Sequence, residues 1–220
     1  MGRRLPLALL LAVAALAGCG GSGSTSEASK TPTAILDDAR QAALAAESVH
    51  IVGAVHNGRE RISLDLRLTQ NRGGGTVKVD GSKVEVIRVG KTAYIRAGAD
   101  FYRTFDAQAA VGKLAGKWVK VQTSTPNFAA LVSLTDLYAF LTQALTTKGK
   151  ITKGTVKTVA GQKAIELKSA HGGLLYVAAD GKPYPLEFTS RVAPVGIVTL
   201  TGWNATTPPS APPHAVELEK

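Results

Sequence analysis

The apolar residues of this chain recur with two different periods, and each period predicts a different secondary structure. After Thr31-Pro32, the stretch TAILDDARQAALAAE repeats its apolar positions every three to four residues, which predicts an amphipathic helix capped by the threonine. From Val49 onward the period is two. The cleanest example is RISLDLRLTQ, in which four aliphatic side chains would point to one side of a strand: Ile62, Leu64, Leu66 and Leu68.

Three further short strands are expected in the sequences TVKVD, KVEVIRV and TAYIR. The intervening Gly73-Gly74-Gly75, Asp80-Gly81 and Gly90 are typical of turns, so the pattern predicts an antiparallel meander. Within KVEVIRV the apolar phase slips between Val86 and Ile87, which predicts a bulge or a strong local twist.

The middle of the chain is helical in pattern, and its last third returns to strands. FYRTFDAQAAV and NFAALVSLTDLYAFLTQAL carry helical stripes, the second with a break near residues 133–135, and GKWVKV between them is a strand. Later strands are expected at 150–159, 162–168, 174–178, 184–189 and 195–203. This order indicates an α+β domain in which one long, twisted antiparallel sheet packs its apolar face against helices.

The amino terminus has the order of a secretory signal peptide: two arginines, an apolar run from about Leu5 to Leu16, and then small residues. The run is shorter than the roughly 20 residues that span a bilayer. Leu16-Ala17-Gly18-Cys19 fits the bacterial lipobox, which implies cleavage before Cys19 and lipidation of its sulfur. Cys19 is the only cysteine, and a free exposed thiol outside the cell would be a liability, so lipidation is favoured over a structural role.

These features divide the chain into four segments. Residues 1–18 are the expected lipoprotein signal peptide, and residues 19–31 are the acylated cysteine with a Gly/Ser/Thr-rich flexible tether. Residues 32–205 are the expected folded domain, and residues 206–220 are a Pro-rich extended tail. The protein is therefore expected on the extracytoplasmic side of the cell membrane, held there by its lipid anchor.

The chain is basic, with a formal net charge of +10, of which Arg3 and Arg4 contribute two. Lysine and arginine are spread singly, and no basic run is interleaved with aromatic residues, which argues against nucleic-acid binding. Solvated strand faces explain this distribution most simply, and a basic surface attracted to anionic lipid is the functional alternative. We expect the protein to be monomeric.

No pattern of catalytic, metal-binding or cofactor-binding residues is recognisable. His50, His56, His171 and His214 fall in no metal-ligand spacing. The sequence has no nucleophile elbow, Walker loop or dinucleotide fingerprint, and the three consecutive glycines precede a strand rather than a helix. The expectation is therefore a protein that is not an enzyme and has no cofactor or metal, with a hydrolase as the least favoured alternative.

Three phrases of the sequence resemble the LppX/LprG/LprF-type lipoproteins of actinobacteria: VEVIRVGKTAYIRAGADFYR, GKWVKV and VAADGKPYPLEF. The resemblance covers about residues 32–203, which is nearly the whole of the expected folded domain. It implies the fold of the lipoprotein carrier and receptor pair LolA and LolB. In that fold a curved half-barrel sheet, here of about 10–11 antiparallel strands, holds helices and a possible hydrophobic cavity on its concave face. Members of the family are implicated in binding acylated lipids or glycolipids and moving them across the envelope.

On this resemblance, the alternating strands would form the wall of the cavity and leucines of the second helical stretch its lid. The predicted wall comprises Ile62, Leu64, Leu66, Leu68, Val77, Val79, Val84 and Val86. The predicted lid comprises Leu131, Leu134, Leu137 and Leu141. The same residues serve equally as an ordinary packed core. Two functions therefore stay open: a carrier of acylated lipid or glycolipid, and a closed interaction or sensor module of the envelope with no lipid cargo.

Overall fold

The structure is a computed structural model that describes residues 26–103, 108–147 and 149–217. The signal peptide, the lipobox with Cys19 and most of the predicted tether lie outside the described residues.

Twelve strands of the described chain form one sheet. They are β1 (Ser48–Asn57), β2 (Glu60–Thr69), β3 (Arg72–Val79), β4 (Ser82–Val89), β5 (Thr92–Ala97), β6 (Trp118–Gln122), β7 (Ile151–Val159), β8 (Gln162–Ser169), β9 (Gly173–Ala178), β10 (Pro185–Ser190), β11 (Val195–Thr201) and β12 (Val216–Glu217). Their order across the sheet is β12-β6-β5-β4-β3-β2-β1-β11-β10-β9-β8-β7, so the sheet does not close into a barrel. Every neighbouring pair is antiparallel except β12 with β6. The predicted fold class is confirmed, with a sheet slightly larger than expected.

Five α-helices accompany the sheet in the described part of the chain: α1 (Pro32–Leu44), α2 (Ala99–Arg103), α3 (Gln108–Leu114), α4 (Ala129–Ser133) and α5 (Leu137–Ala144). The Thr31 hydroxyl caps α1 by accepting a hydrogen bond from the Ala34 N–H at 3.3 Å. The Asp136 carboxylate caps α5 in the same way, accepting from the Ala139 N–H at 2.9 Å. This second cap is the reason why the helical stretch breaks at residues 133–135, as the sequence predicted.

The helices divide the sheet into two halves. α2 packs on β4 and β5, and α4 packs on β4, whereas α1 packs on β7, β9 and β10. We call β2–β6 the packed half and β7–β11 the open half. In the packed half, the buried Arg88 of β4 donates from Nε and Nη2 to the Thr135 carbonyl oxygen at 3.2 and 3.1 Å. These charge-assisted bonds hold the α4–α5 junction on the sheet.

The three consecutive glycines lie inside β3 and not in a turn, which corrects the sequence prediction. A Cβ atom at Gly73 would collide with the Thr135 carbonyl oxygen above the concave face. A Cβ atom at Gly74 would lie 2.5 Å from the Val86 carbonyl oxygen of the neighbouring strand and 2.9 Å from Cγ of Pro209 on the convex face. The sheet is covered closely on both sides here, and only residues without a side chain leave room for both layers.

The Pro-rich tail provides the covering layer on the convex face. The tail follows β11, and its Thr206 N–H donates to the Ser48 hydroxyl at 3.0 Å. Farther along, it forms β12, which pairs with β6. Lys120 of β6 and Glu217 of β12 form an ion pair of 2.8 Å. Ile87 is the register partner of Gly74 and is only 7% exposed. The apolar phase slip in β4 therefore reflects a strand that is covered on both faces. Of the two alternatives predicted for β4, the bulge is wrong, because the pairing of β4 with β3 and β5 is continuous, and the strong local twist stays a prediction.

Candidate functional site

A cavity with a volume of about 830 Å³ lies on the concave face of the open half. Its floor includes the buried Leu167 of β8 and Leu175 of β9, and the buried Leu36 of α1 and Leu145 after α5 line it from the helical side. Half-buried apolar side chains complete the wall, namely Val55, Ile151, Phe188 and Val198. This floor and wall present hydrocarbon to the cavity.

The strands of the open half create this space because their inward-facing side chains become smaller toward one end of the sheet. That end holds the β8–β9 and β10–β11 turns. The inward-facing series, each running toward those turns, are Ile165, Leu167 and Ser169 in β8, Val177, Leu175 and Gly173 in β9, Phe188 and Ser190 in β10, and Leu200, Val198 and Gly196 in β11. Small residues leave unfilled volume where larger ones would meet the helices.

The mouth of the cavity combines neutral polar side chains with the apolar turn between β10 and β11. Its polar lining residues are Gln143, Thr146, Thr147, Ser169, His171, Thr189 and Ser190. No aspartate, glutamate, lysine or arginine belongs to the lining formed by the described residues, although 19% of the chain is charged. A ligand in this cavity would therefore meet hydrocarbon inside and neutral hydrogen-bonding groups at the opening.

The segment that roofs the cavity is held to α1 by an arginine. Arg40 donates from Nε and Nη2 to the Leu145 carbonyl oxygen at 3.1 and 2.8 Å, and its Nη1 pairs with Asp37 at 3.0 Å. The guanidinium satisfies a carbonyl at the end of α5, where the helix dipole favours positive charge. Residues 145–147 are thereby positioned over the strands.

The other polar clusters of the described chain are separate from this cavity. Lys30 pairs with Glu27 and Asp38, both at 2.7 Å, and these carboxylates raise its pKa. On the convex face, Glu166 accepts from Lys157 at 2.9 Å and from the Tyr176 hydroxyl at 2.9 Å. Hydrogen bonding from Lys157 is the main reason why the pKa of Glu166 is lowered to about 2. No cluster of three or more His, Cys, Asp or Glu residues that could hold a metal occurs in the described ranges.

None of the twelve side chains that the sequence predicted as wall or lid lines the 830 Å³ cavity. The predicted wall lies in the packed half, with Leu66, Leu68, Val77, Val84 and Val86 buried in the core and Ile62, Leu64 and Val79 packed against it. Of the predicted lid, Leu137 and Leu141 are buried, and Leu131 and Leu134 pack on the same core. Leu137 and Leu141 also border a smaller cavity of about 230 Å³. Their roles in ligand binding stay predictions.

The sequence reasoning missed the residues that do line the cavity, although it placed their strands correctly. The predicted wall lies on the strands with the cleanest alternation of apolar and polar residues, and these strands belong to the half of the sheet on which α2 and α4 pack. The signal that could have found the cavity is the decrease in side-chain size along the inward-facing positions of four neighbouring strands, which end in Ser169, Gly173, Ser190 and Gly196.

Comparison with solved structures identifies this architecture. LprF from Mycobacterium bovis superposes with a TM-score of 0.54 at 16% sequence identity, over 84% of this chain and 97% of LprF. The lipoprotein LppX from Mycobacterium tuberculosis superposes with a TM-score of 0.52 at 14% identity, over 79% of this chain and 94% of LppX. The chain has the fold of LprF and LppX. The resemblance to these lipoproteins that the sequence indicated is confirmed at the level of the fold.

No protein-family model matches the sequence, and no curated protein is significantly similar to it. No helix within the described ranges is long and apolar enough to cross a membrane.

Proposed function

We propose that this protein is a non-enzymatic, membrane-anchored lipoprotein that binds an acylated lipid or glycolipid in its cavity and carries it across the cell envelope. The observation that supports this proposal is the uncharged cavity on the concave face of the open half.

The size and lining of the cavity suit acyl chains. At about 30 Å³ per water-sized group, its 830 Å³ gives room for on the order of 25 carbon groups. Each methylene that leaves water contributes about 0.8 kcal/mol, so a long chain binds without any charged contact. The neutral polar groups at the mouth suit a hydroxylated or glycosyl head group, because they can both donate and accept hydrogen bonds.

Anchoring through Cys19 would keep the cavity close to the membrane from which lipid is taken. The lipobox sequence and the likeness in fold to LppX, itself a lipoprotein, support this part of the proposal. Residues 26–31 of the predicted tether lie against the domain, with Glu27 buried and the Ala28 and Lys30 carbonyl oxygens bonded to Lys153, so only residues 20–25 separate the domain from Cys19. Six Gly/Ser-rich residues span roughly 13 Å, which would keep the domain close to the surface.

The alternative function, a packed interaction or sensor module, gives no role to an open apolar cavity. The cavity therefore favours lipid binding over this alternative.

The test is mass spectrometry of organic extracts of the protein, purified without detergent from an actinobacterial host as the Cys19→Ser variant, so that anchor acyl groups do not contribute. We expect a stoichiometric acylated lipid. Val198→Trp should reduce this lipid several-fold, because the indole fills the cavity from its wall. Ile197→Trp is the matched control, since the neighbouring Ile197 is 51% exposed on the opposite face of β11.

Equal lipid content in the two tryptophan variants would contradict the assignment of the cavity. A protein that is purified empty and also fails to take up added lipid would contradict the proposed function.

A further inference from the structure

The turn between β10 and β11 presents apolar side chains to solvent at the mouth of the cavity. Val192 is 50% exposed, and Ala193 and Pro194 next to it are also exposed. All three line the mouth. Exposed apolar residues that cluster in this way mark an interaction site more often than isolated ones do.

Two further turns lie beside this one. The pairing of His56 with Val195 places the β1–β2 turn, residues 58–59, next to Pro194. In the β8–β9 turn, a Cβ atom at Gly172 would lie 3.1 Å from the methyl groups of Val192. Three turns therefore form one tip at this end of the sheet, with Val192 at their centre.

Cations flank the apolar centre of the tip. Arg191 precedes Val192 directly, and Arg59 lies in the neighbouring turn; both are exposed, and neither is ion-paired within the described part of the chain. Arg61 adds a third exposed guanidinium. The acidic residues at this end are Glu60 and Asp80, and the Asp80 carboxylate accepts the Arg61 backbone N–H at 2.8 Å.

We infer that this tip docks on an anionic bilayer surface, and that residues 58–61 and 191–195 are the part of it that contacts lipid. Val192, Ala193 and Pro194 enter the head-group region, and Arg59 and Arg191 contact lipid phosphates. Apolar insertion and attraction to anionic lipid reinforce each other at such a surface. Contact with a second copy of the chain through the same tips would bring like charges together, which disfavours a symmetric dimer. The inference goes beyond the proposed function, since docking does not require a loaded cavity.

The test is co-sedimentation of residues 20–220, the expected processed chain without its signal peptide and anchor cysteine, with lipid vesicles. Vesicles of phosphatidylcholine alone are compared with vesicles that also contain phosphatidylglycerol. We expect binding to the anionic vesicles that weakens with added salt. Arg191→Gln should weaken it about five-fold, and Val192→Asp should weaken it at least as much.

Matched control variants lie away from the tip. Val156→Asp changes an equally exposed valine, 52% exposed in the middle of β7, and Lys163→Gln removes a cation at the opposite end of β8. Both should bind as the parent protein does. In a second measurement, Val192→Trp should show a blue shift of its fluorescence with anionic vesicles, and Val156→Trp should not.

The inference is overturned if the parent protein shows no preference for anionic vesicles, or if Val192→Asp binds as well as the parent. A tryptophan at position 192 that stays in water would also overturn it, and so would a dimer that Val192→Asp dissociates. Extracted lipid is measured in the same samples, so a failure of docking can be distinguished from a failure of the proposed function.

Discussion

Replacing Gly73 with alanine tests whether the close contact between sheet and helices holds the packed half together. The added Cβ atom would collide with the Thr135 carbonyl oxygen, which also accepts the two hydrogen bonds from the buried Arg88. Thr135 is fully buried, so it cannot withdraw into solvent. The α4–α5 junction must move away from β3, and the hydrogen bonds from Arg88 must lengthen.

The expected loss of stability has two parts. Overpacking a filled site costs about 1–3 kcal/mol, and weakening hydrogen bonds to a buried guanidinium adds about 1–2 kcal/mol. Alanine restricts the unfolded chain more than glycine does, and this effect offsets only about 0.4–1 kcal/mol of the lost stability. The net destabilisation is therefore about 2–4 kcal/mol, which lowers Tm by about 5–15 °C for a domain of this size.

The assay is thermal unfolding followed by circular dichroism, with Gly112→Ala as the matched control. A Cβ atom at Gly112 in α3 would meet no heavy atom within 4 Å, so this helical substitution should stabilise the protein by about 0.5–1 kcal/mol. Equal melting temperatures for Gly73→Ala and the parent protein would refute the reasoning, because they would mean that the helical layer does not need its close approach to β3.

Two further predictions concern the convex face. Because the pKa of Glu166 is lowered to about 2 from an ordinary value of 4.5, its contribution to stability is present above pH 4.5 and is lost as the pH falls toward 2. Glu166→Gln should lower the free energy of unfolding by about 1–2 kcal/mol at pH 7, after allowance for the half-exposed Lys157. In urea denaturation between pH 7 and pH 2, the variant should lose less stability on acidification than the parent protein. An equal loss in both proteins would contradict this. Deletion of residues 206–220 uncovers Ile87 and the β6 edge, so it should lower the free energy of unfolding by about 2 kcal/mol or more in urea denaturation, whereas deletion of 218–220 alone should not.

Most of the secondary structure could be predicted because local sequence determines it. The strands from β7 to β11 agree within a few residues with those that alternation and turn residues predict, and the predicted break near residues 133–135 lies between α4 and α5. The glycines of β3 were misassigned for a physical reason. Glycine is common in turns, and its use at Gly73 and Gly74 depends on two layers that lie far away in the sequence, at Thr135 and Pro209.

The position of the cavity could not be predicted from the same signals. A strand such as β2, with Leu64, Leu66 and Leu68 in perfect alternation, indicates an apolar inner face but does not indicate what fills the space above it. In this protein α2 and α4 lie on that half of the sheet. Cavity formation depends on how the helices sit over the sheet and on the size of the side chains between them, which is a property of the tertiary structure.

The predicted wall residues and the residues of the observed cavity differ in how deeply they are buried. Leu66 is completely buried in the core that the helices complete, so a charged residue there would be expected to unfold the packed half rather than to block lipid uptake selectively. Val198 is half-buried at the cavity, and its neighbours on the inner face of β11 become smaller toward the mouth. Val198→Trp therefore tests the proposed cavity with less disturbance of the buried core than a charged residue at Leu66 would cause.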